Sequence, residues 1–198
     1  MFQVRLHGRG GQGVVTAAEM LSVAAFIEGR WAQAFPSFGS ERMGAPVTAF
    51  CRIDDREIRS REPVAEPDAL IIQDPTLLHQ VSVFEGLALD GFVLINTTRT
   101  PEQLGIEDVA SRLPPGHVRT VAATELALEH VGRPIPNAPL LGGFCAVTGR
   151  LQIESVEQAI RRKFKPSVAE GNIAAARAAY AAAAAAVSKG GTPHAQAV

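Results

Sequence analysis

The chain has only two cysteines in 198 residues, Cys51 and Cys145, and they lie far apart in the sequence. Two thiols exclude a disulfide scaffold, and they are too few for an iron–sulfur cluster or a structural zinc site made by this chain alone. The five histidines are scattered without the spacing of metal ligands. We therefore expect no metal site within this chain.

The chain also lacks a strong charge of either sign, since its formal net charge is −1 at pH 7. Without a basic excess, nucleic acid is not expected as its main partner. No basic segment followed by an apolar run opens the chain, so no signal peptide is expected. The alanine-rich run Ala174–Val187 is too weakly hydrophobic to predict a membrane span. These observations predict a cytoplasmic protein that binds neither nucleic acid nor membrane.

Recognisable catalytic motifs are absent as well. Neither Ser37 nor Ser40 has the nucleophile-elbow context, and no G-K-[ST] follows the early glycines. Cys51 lies in a predicted strand and Cys145 in an apolar helix, so both are interpreted as packing residues.

The composition, 46% hydrophobic, supports one folded domain, and we assign it to residues 1–190 with a frayed tail at 191–198. Apolar runs without polar alternation at Asp68–Asp74 and Gly91–Thr97 are typical of buried parallel strands. Helical segments alternate with the strands. The sequence thus predicts an α/β fold, a three-layer domain with a mixed, mostly parallel sheet.

An antiparallel hairpin is predicted as an addition to that sheet, with strands at Val47–Ile53 and Glu57–Arg59. The segment Pro134–Pro139 is predicted to be extended. Predicted helices run from about Gly13 to Ile27, Glu125 to His130 with Thr124 as its cap, Leu140 to Thr148, Val156 to Lys163 with Ser155 as its cap, and Ala169 to Val187. Small side chains in the last helix favour close packing on a neighbour, and its weak polar surface favours burial by another subunit.

The most informative segment is the glycine-rich loop Gly8-Arg9-Gly10-Gly11-Gln12-Gly13, which joins a predicted strand to a predicted helix. Glycines let the backbone approach a ligand, and the helix start offers unpaired N–H groups to an anion. Arg9 could pair with phosphate and Gln12 with a carbonyl or amide, or both could be ordinary surface residues of a turn without a ligand. The dinucleotide pattern G-x-G-x-x-G also requires an acid at the end of a second strand, and Glu28 does not lie there.

A second candidate segment is Pro36–Pro46, where Ser37, Glu41 and Arg42 lie among prolines and glycines. Such loops hold ligand or interface contacts, but an ordinary crossover between strands is an equal alternative. Asp74 and Asn96 end buried strands, where α/β sheets bind ligands, and we interpret both as caps or turn formers.

The two loops together resemble one family. Gly8–Gly13 resembles the G-x-G-G-Q-G opening of the gamma subunits of 2-oxoacid:ferredoxin (or other acceptor) oxidoreductases, and Pro36–Val47 resembles their P-S-[FY]-G-P-E-x-R-G-A-P segment. Asn137–Phe144 is similar to the family's asparagine-then-glycine helix start. Ser40 and Met43 depart from the pattern.

The resemblance implies a subunit that is inactive alone, in an anaerobic complex oxidising a 2-oxoacid (pyruvate, branched-chain or aryl) to acyl-CoA. Thiamine diphosphate, Mg and [4Fe-4S] clusters would be held mostly by alpha, beta and delta (ferredoxin-like) subunits. Electrons would pass to ferredoxin, or through a flavoprotein to NAD. Residues implied to contact a cofactor or coenzyme A are Gly8, Arg9, Gly10, Gly11, Gln12, Gly13, Ser37, Phe38, Gly39, Glu41, Arg42 and Gly44. The alternatives are a free-standing nucleotide-binding protein of Rossmann type and a non-catalytic scaffold subunit.

Overall fold

The computed structural model of the protein describes residues 1–37 and 43–190, so the predicted tail lies outside the described residues. Its described strands are β1 (Phe2–Arg9), β2 (Trp31–Pro36), β3 (Pro46–Asp54), β4 (Ala69–Ile72), β5 (Phe92–Asn96) and β6 (Val118–Val121). They form one sheet in the order β2-β3-β1-β4-β5-β6. β3 pairs antiparallel with both β2 and β1, and all other neighbours are parallel. The sheet is mixed and mostly parallel, as predicted.

The described α-helices are α1 (Val14–Ile27), α2 (Pro101–Leu104), α3 (Glu107–Arg112), α4 (Ala123–Val131), α5 (Asn137–Thr148), α6 (Ile153–Lys163) and α7 (Pro166–Gly190). A short 3-10 helix, Pro75–His79, follows β4. In the described ranges, no helix is both long and apolar enough to cross a membrane.

Both faces of the sheet are covered, which gives the three predicted layers. Side chains alternate along β4, so Ala69 and Ile71 join the core beneath α1, α5, α6 and α7, while Leu70 and Ile72 join a smaller core with α2 and α3. A strand buried on both faces needs no polar positions, and this explains its uninterrupted apolar sequence.

The alanine-rich helix α7 lies directly on α5. A Cβ at Gly142 of α5 would overlap the carbonyl oxygen of Ala176, so the two backbones meet without a side chain between them. Buried alanines of α7, including Ala175 and Ala179, complete this contact. The interpretation of small residues as a means of close packing is confirmed, and burial by another subunit stays a prediction.

The antiparallel addition is built differently from the prediction. It consists of β2 and β3, and the returning strand predicted at Glu57–Arg59 is wrong. The physical reason is that β2 and β1 already occupy both edges of β3, so no edge remains for a following strand. Arg59 and Glu57 instead bond to each other through their side chains, and both are exposed.

The two predicted side-chain caps are also wrong. Thr124 lies inside α4, where its N–H donates to Asn96 Oδ1 (3.0 Å) and its hydroxyl accepts from Asn96 Nδ2 (2.8 Å). A residue from a neighbouring strand therefore caps the helix, which confirms Asn96 as a capping residue. Ser155 lies inside α6, which begins at Ile153, so it does not cap this helix. Glu157 of α6 pairs instead with Arg177 of α7.

The segment predicted as extended, Pro134–Pro139, is helical in its second half. Helix α5 begins at Asn137, three residues before the predicted Leu140. Pro139 does not prevent this, because the N–H that proline lacks has no partner in the first turn of a helix.

Candidate functional site

The glycine-rich loop joins the end of β1 to the start of α1 at the centre of the sheet. Gly11 and Gly13 have φ of 95° and 73°, values that L side chains rarely adopt. A Cβ at Gly8 would lie 2.6 Å from Val14 Cγ2 and 3.1 Å from Gln73 Cβ, so glycine lets helix and sheet meet closely. Gly13 precedes α1 as a cap without a side chain, and the first turn of α1 contains no acidic residue. The N-terminus of this helix is therefore left open to an anion.

Arg9 holds the loop to its surroundings. Its Nε donates to Asp74 Oδ2 (3.1 Å), its Nη1 to the Gly44 carbonyl (3.0 Å), and its Nη2 to Thr76 Oγ1 and Gln80 Oε1 (both 2.7 Å). Four of the five guanidinium N–H groups are thus engaged within the protein. Arg9 positions the loop, and one N–H remains for any ligand.

Gln12 is held equally firmly. Its Oε1 accepts from the Arg9 backbone N–H (2.8 Å), and its Nε2 donates to Asp74 Oδ2 (3.0 Å). The amide closes the loop on itself and ties it to the end of β4. This arrangement accounts for an amide in a loop that could bind phosphate without one.

Asp74 is the shared acceptor of this network. One carboxylate oxygen accepts from Arg9 and Gln12, and the other accepts from the Thr76 N–H (2.9 Å) and hydroxyl (2.5 Å). Burial alone would raise the pKa of Asp74, but the hydrogen bonds from Thr76 and Gln12 and the charge of Arg9 outweigh it and lower the pKa. Asp74 also caps the 3-10 helix, which confirms its interpretation as a cap.

The ends of the second candidate segment lie against the glycine-rich loop. Gly44 donates its N–H to the Gly10 carbonyl (3.1 Å), and Gly10 donates to the Ala45 carbonyl (2.9 Å). Ser37 continues the β2–β3 ladder by donating its N–H to Thr48. The predicted site residues Phe38, Gly39, Glu41 and Arg42 lie outside the described residues. The structure therefore brings the two predicted loops together at Gly10 and Gly44.

A cleft of about 290 Å³ opens beside this junction. It is lined by Arg9, Gly10, Gly11, Gly13, Val14, Val15, Thr16 and Val47. Three of the eight lining residues are glycines, and the start of α1 contributes Val14, Val15 and Thr16. Such a surface suits a charged oxygen group that accepts from N–H groups.

Neither cysteine is placed for chemistry at this site. Cys51 and Cys145 are free and buried, and desolvation raises the pKa of each thiol to about 12. This confirms both as packing residues. Over residues 1–37 and 43–190, no three His, Cys, Asp or Glu side chains group together as metal ligands.

The fold and the site thus define a class: a mixed α/β domain whose glycine-rich strand-to-helix loop borders an open cleft. The family model for pyruvate ferredoxin/flavodoxin oxidoreductase matches residues 3–182. The chain belongs to this family.

Named relatives agree with this assignment. The chain is 48% identical over 180 residues to the "Pyruvate/ketoisovalerate oxidoreductases common subunit gamma" of Pyrococcus abyssi, covering 91% of this chain and 96% of the relative. It is 52% identical over 161 residues to "Pyruvate synthase subunit PorC" of Methanosarcina barkeri, covering 81% and 85%. The crystal structure of the pyruvate oxidoreductase subunit PORC from Thermotoga maritima has a TM-score of 0.77 at 38% identity, covering 91% of this chain and 95% of that one.

Proposed function

We propose that this chain is the gamma-type subunit of a thiamine-diphosphate-dependent 2-oxoacid:acceptor oxidoreductase. The complex oxidatively decarboxylates a 2-oxoacid (pyruvate, a branched-chain acid or an aryl acid such as phenylglyoxylate) with coenzyme A, giving acyl-CoA, CO₂ and two electrons for ferredoxin or NAD. The observation that carries the proposal is similarity over nearly the full length of both chains to relatives named as gamma or PorC subunits.

The chemistry of this chain's residues favours a division of labour. Its two thiols are buried on different elements and cannot ligate a cluster together. We assign thiamine diphosphate, Mg and [4Fe-4S] clusters to alpha, beta and delta-type partners, and the NAD branch to an added flavoprotein. When bound, the thiazolium supplies the carbanion chemistry of decarboxylation, and the clusters accept electrons singly.

For this chain we propose a positioning role at the composite active centre. The loop Gly8–Gly13 and the segment Pro36–Gly44 face the thiamine-bearing subunit and contact phosphates of coenzyme A or of thiamine diphosphate. Support comes from the uncapped start of α1 and from the cleft beside Gly10 and Gly11. Arg9 and Gln12 act by fixing the loop, while backbone N–H groups contact the ligand.

The test is a pair of matched glycine substitutions in the assembled complex. Gly11→Val and Gly29→Val both place a β-branched residue at positive φ, 95° and 76°, but Gly29 lies outside the loop, and a Cβ added there would have no atom within 4 Å. Each change should cost about 1–3 kcal/mol of stability. We expect only Gly11→Val to abolish CoA-dependent oxidation while the complex still assembles. Full activity of that variant would refute the role given to the loop.

Two alternatives give different results. A free-standing dinucleotide-binding protein would bind a dinucleotide tightly without partners, but the strand after α1 is the antiparallel edge strand β2 and ends at Pro36 without an acid. A purely structural scaffold would lose assembly, rather than turnover, when Gly11 is replaced. Gel filtration of each variant complex, run beside the activity assay, separates these outcomes.

A further inference from the structure

Strand β2 forms one edge of the sheet, and no strand within residues 1–37 and 43–190 pairs with its outer side. Its six residues carry no charge, and the first of them, Trp31, is 53% exposed. The strand at the opposite edge, β6, has only four residues and contains Arg119. Edge strands are normally kept from pairing by short length, charge or proline. Apart from Pro36 at its end, β2 lacks these protections.

The hydrogen-bond ladder shows which backbone groups of β2 point outward. Ser37 directly follows β2 and donates its N–H to the Thr48 carbonyl (2.8 Å), so positions 37 and 48 form a hydrogen-bonded pair in the β2–β3 register. Because such pairs alternate with non-hydrogen-bonded pairs along antiparallel strands, the odd-numbered residues of β2 bond to β3. The N–H and C=O groups of Ala32 and Ala34 therefore point outward, whereas Pro36 offers a carbonyl alone.

The chemical pattern of β2 is the same in either direction. Trp31-Ala32-Gln33-Ala34-Phe35 consists of an aromatic residue, an alanine, a glutamine, an alanine and a second aromatic residue. When two such strands pair antiparallel with Gln33 at the centre, Ala32 of each copy lies opposite Ala34 of the other. The outward N–H and C=O groups of these alanines then form four backbone hydrogen bonds about a twofold axis.

The same register brings matching side chains together. Trp31 lies opposite Phe35 of the second copy, on the sheet face that also carries Gln33. Cross-strand aromatic pairs stabilise a sheet, and this pair would cover the exposed indole of Trp31. Arg30, the residue before the strand, pairs with Asp55 of its own chain (3.0 Å), so its charge does not oppose the approach of a second copy.

The neighbouring registers are poorer. A pair of strands centred on Ala34 would place Ala32 opposite Pro36, which has no N–H to donate. A pair centred on Ala32 would place Ala34 opposite Arg30, whose N–H already donates to the Ala25 carbonyl (3.1 Å). The edge therefore favours the register centred on Gln33.

We propose that β2 pairs with β2 of a second copy of this chain, so that the two sheets join into one across a twofold axis at Gln33. The interface lies at the edge of the sheet, and β3 separates it from β1 and the glycine-rich loop. The dimer therefore leaves that loop uncovered, and the proposal does not rest on the proposed function.

Sedimentation of the full chain over a series of concentrations tests the proposal. We expect a monomer–dimer equilibrium. Trp31→Lys places a charge on the edge and removes the aromatic pair, so it should weaken dimerisation at least about tenfold. The matched control is Leu128→Lys on α4, where the apolar side chain is 48% exposed, and it should leave dimerisation within about twofold.

A second variant tests the backbone pairing itself. Ala34→Pro removes an N–H that points outward, so the bonds between β2 and β3 remain. Two of the four hydrogen bonds between the copies are lost, and dimerisation should again weaken at least about tenfold. Circular dichroism confirms that each variant is folded.

Cysteine substitutions test the register. Opposite residues of a non-hydrogen-bonded pair have Cα atoms about 4.5 Å apart, a distance that a disulfide can span. Gln33→Cys should therefore cross-link two chains under mild oxidation with diamide, giving a dimer on a non-reducing gel. Trp31→Cys is the matched control, because four residue steps would separate its two introduced thiols by about 14 Å. The native thiols of Cys51 and Cys145 are buried.

Three results would overturn the proposal. They are a chain that stays monomeric throughout the concentration series, a dimer that neither Trp31→Lys nor Ala34→Pro weakens, and equal cross-linking by Gln33→Cys and Trp31→Cys. A monomer whose β2 amides become protected from hydrogen exchange only in the assembled oxidoreductase would assign the edge to a partner subunit instead. A dimer that joins no oxidoreductase complex would count against the proposed function and leave this interface standing.

Discussion

Replacing Asp74 tests how the glycine-rich loop is held. Asp74→Ala removes the acceptor shared by Arg9 and Gln12 and the cap of the 3-10 helix. Four donor groups lose their partner together, and two of them belong to the loop. The loop should therefore loosen while the sheet stays intact.

The exposure of the pair sets the size of the effect. The side chains of Arg9 and Asp74 are 22% and 13% exposed, so water can reach the guanidinium after the carboxylate is lost. A bond to a charged group contributes about 1.5–3 kcal/mol, and a cap about 1 kcal/mol. Because water can replace part of the lost hydrogen bonding, we expect the free energy of unfolding to fall by about 2 to 3 kcal/mol. For a chain of this size that lowers Tm by roughly 5–10 °C.

Differential scanning calorimetry measures the loss, and Asp55→Ala is the matched control. Asp55 also pairs with an arginine, Arg30 at 3.0 Å, but its side chain is 82% exposed. The control should therefore change stability by less than about 1 kcal/mol. Equal Tm values for Asp74→Ala and the control would refute the claim that this network holds the loop.

The same network predicts a dependence on pH. Because the folded-state pKa of Asp74 is below its ordinary 3.8, the carboxylate contributes stability that is fully present above that value and is lost as pH falls through the folded pKa. Asp74→Asn removes this contribution. We expect the stability of the variant to fall less steeply than that of the wild type below about pH 4.

Further substitutions test packing and titration in the same calorimeter. Gly142→Ala should cost about 3 kcal/mol or more, because its methyl group would meet the backbone oxygen of Ala176. Gly143→Ala would meet only side chains, Leu94 at 3.2 Å and Val121 at 3.4 Å, and should cost less than about 1.5 kcal/mol. Similar costs for the two variants would contradict the α5–α7 packing. Burial, with the charge of Arg5, lowers the pKa of His7 from 6.5 to about 4. Stability should therefore fall by roughly 3 kcal/mol from pH 6.5 to 4 through this residue, and His7→Gln should remove that dependence, while an unchanged pH profile would contradict it.

Much of the fold could be predicted because local signals and burial agree. The run Asp68–Asp74 is apolar on both faces and forms a central strand, and the glycines of the loop mark the turn before α1. The prediction of a returning strand at Glu57–Arg59 was wrong, because the tertiary fold decides which strands pair with β3. The two neighbours of β3 are β2 and β1, and the turn residues after β3 carry no information about this pairing.

The sequence predicted where the candidate site lies, but not which hydrogen bonds connect its residues. The sequence indicated the loop and the end of β4 separately, yet only the parallel pairing of β1 with β4 brings Asp74 to Arg9 and Gln12.

The most direct test of the central claim is an anaerobic affinity purification of this chain from its native host. Co-purifying proteins are identified by mass spectrometry, and the eluate is assayed for iron, thiamine diphosphate and CoA-dependent oxidation of a panel of 2-oxoacids. We predict a stable complex that contains iron and oxidises one of these acids, thereby naming the substrate. A monomer without partners or iron, carrying a bound dinucleotide, would contradict the account.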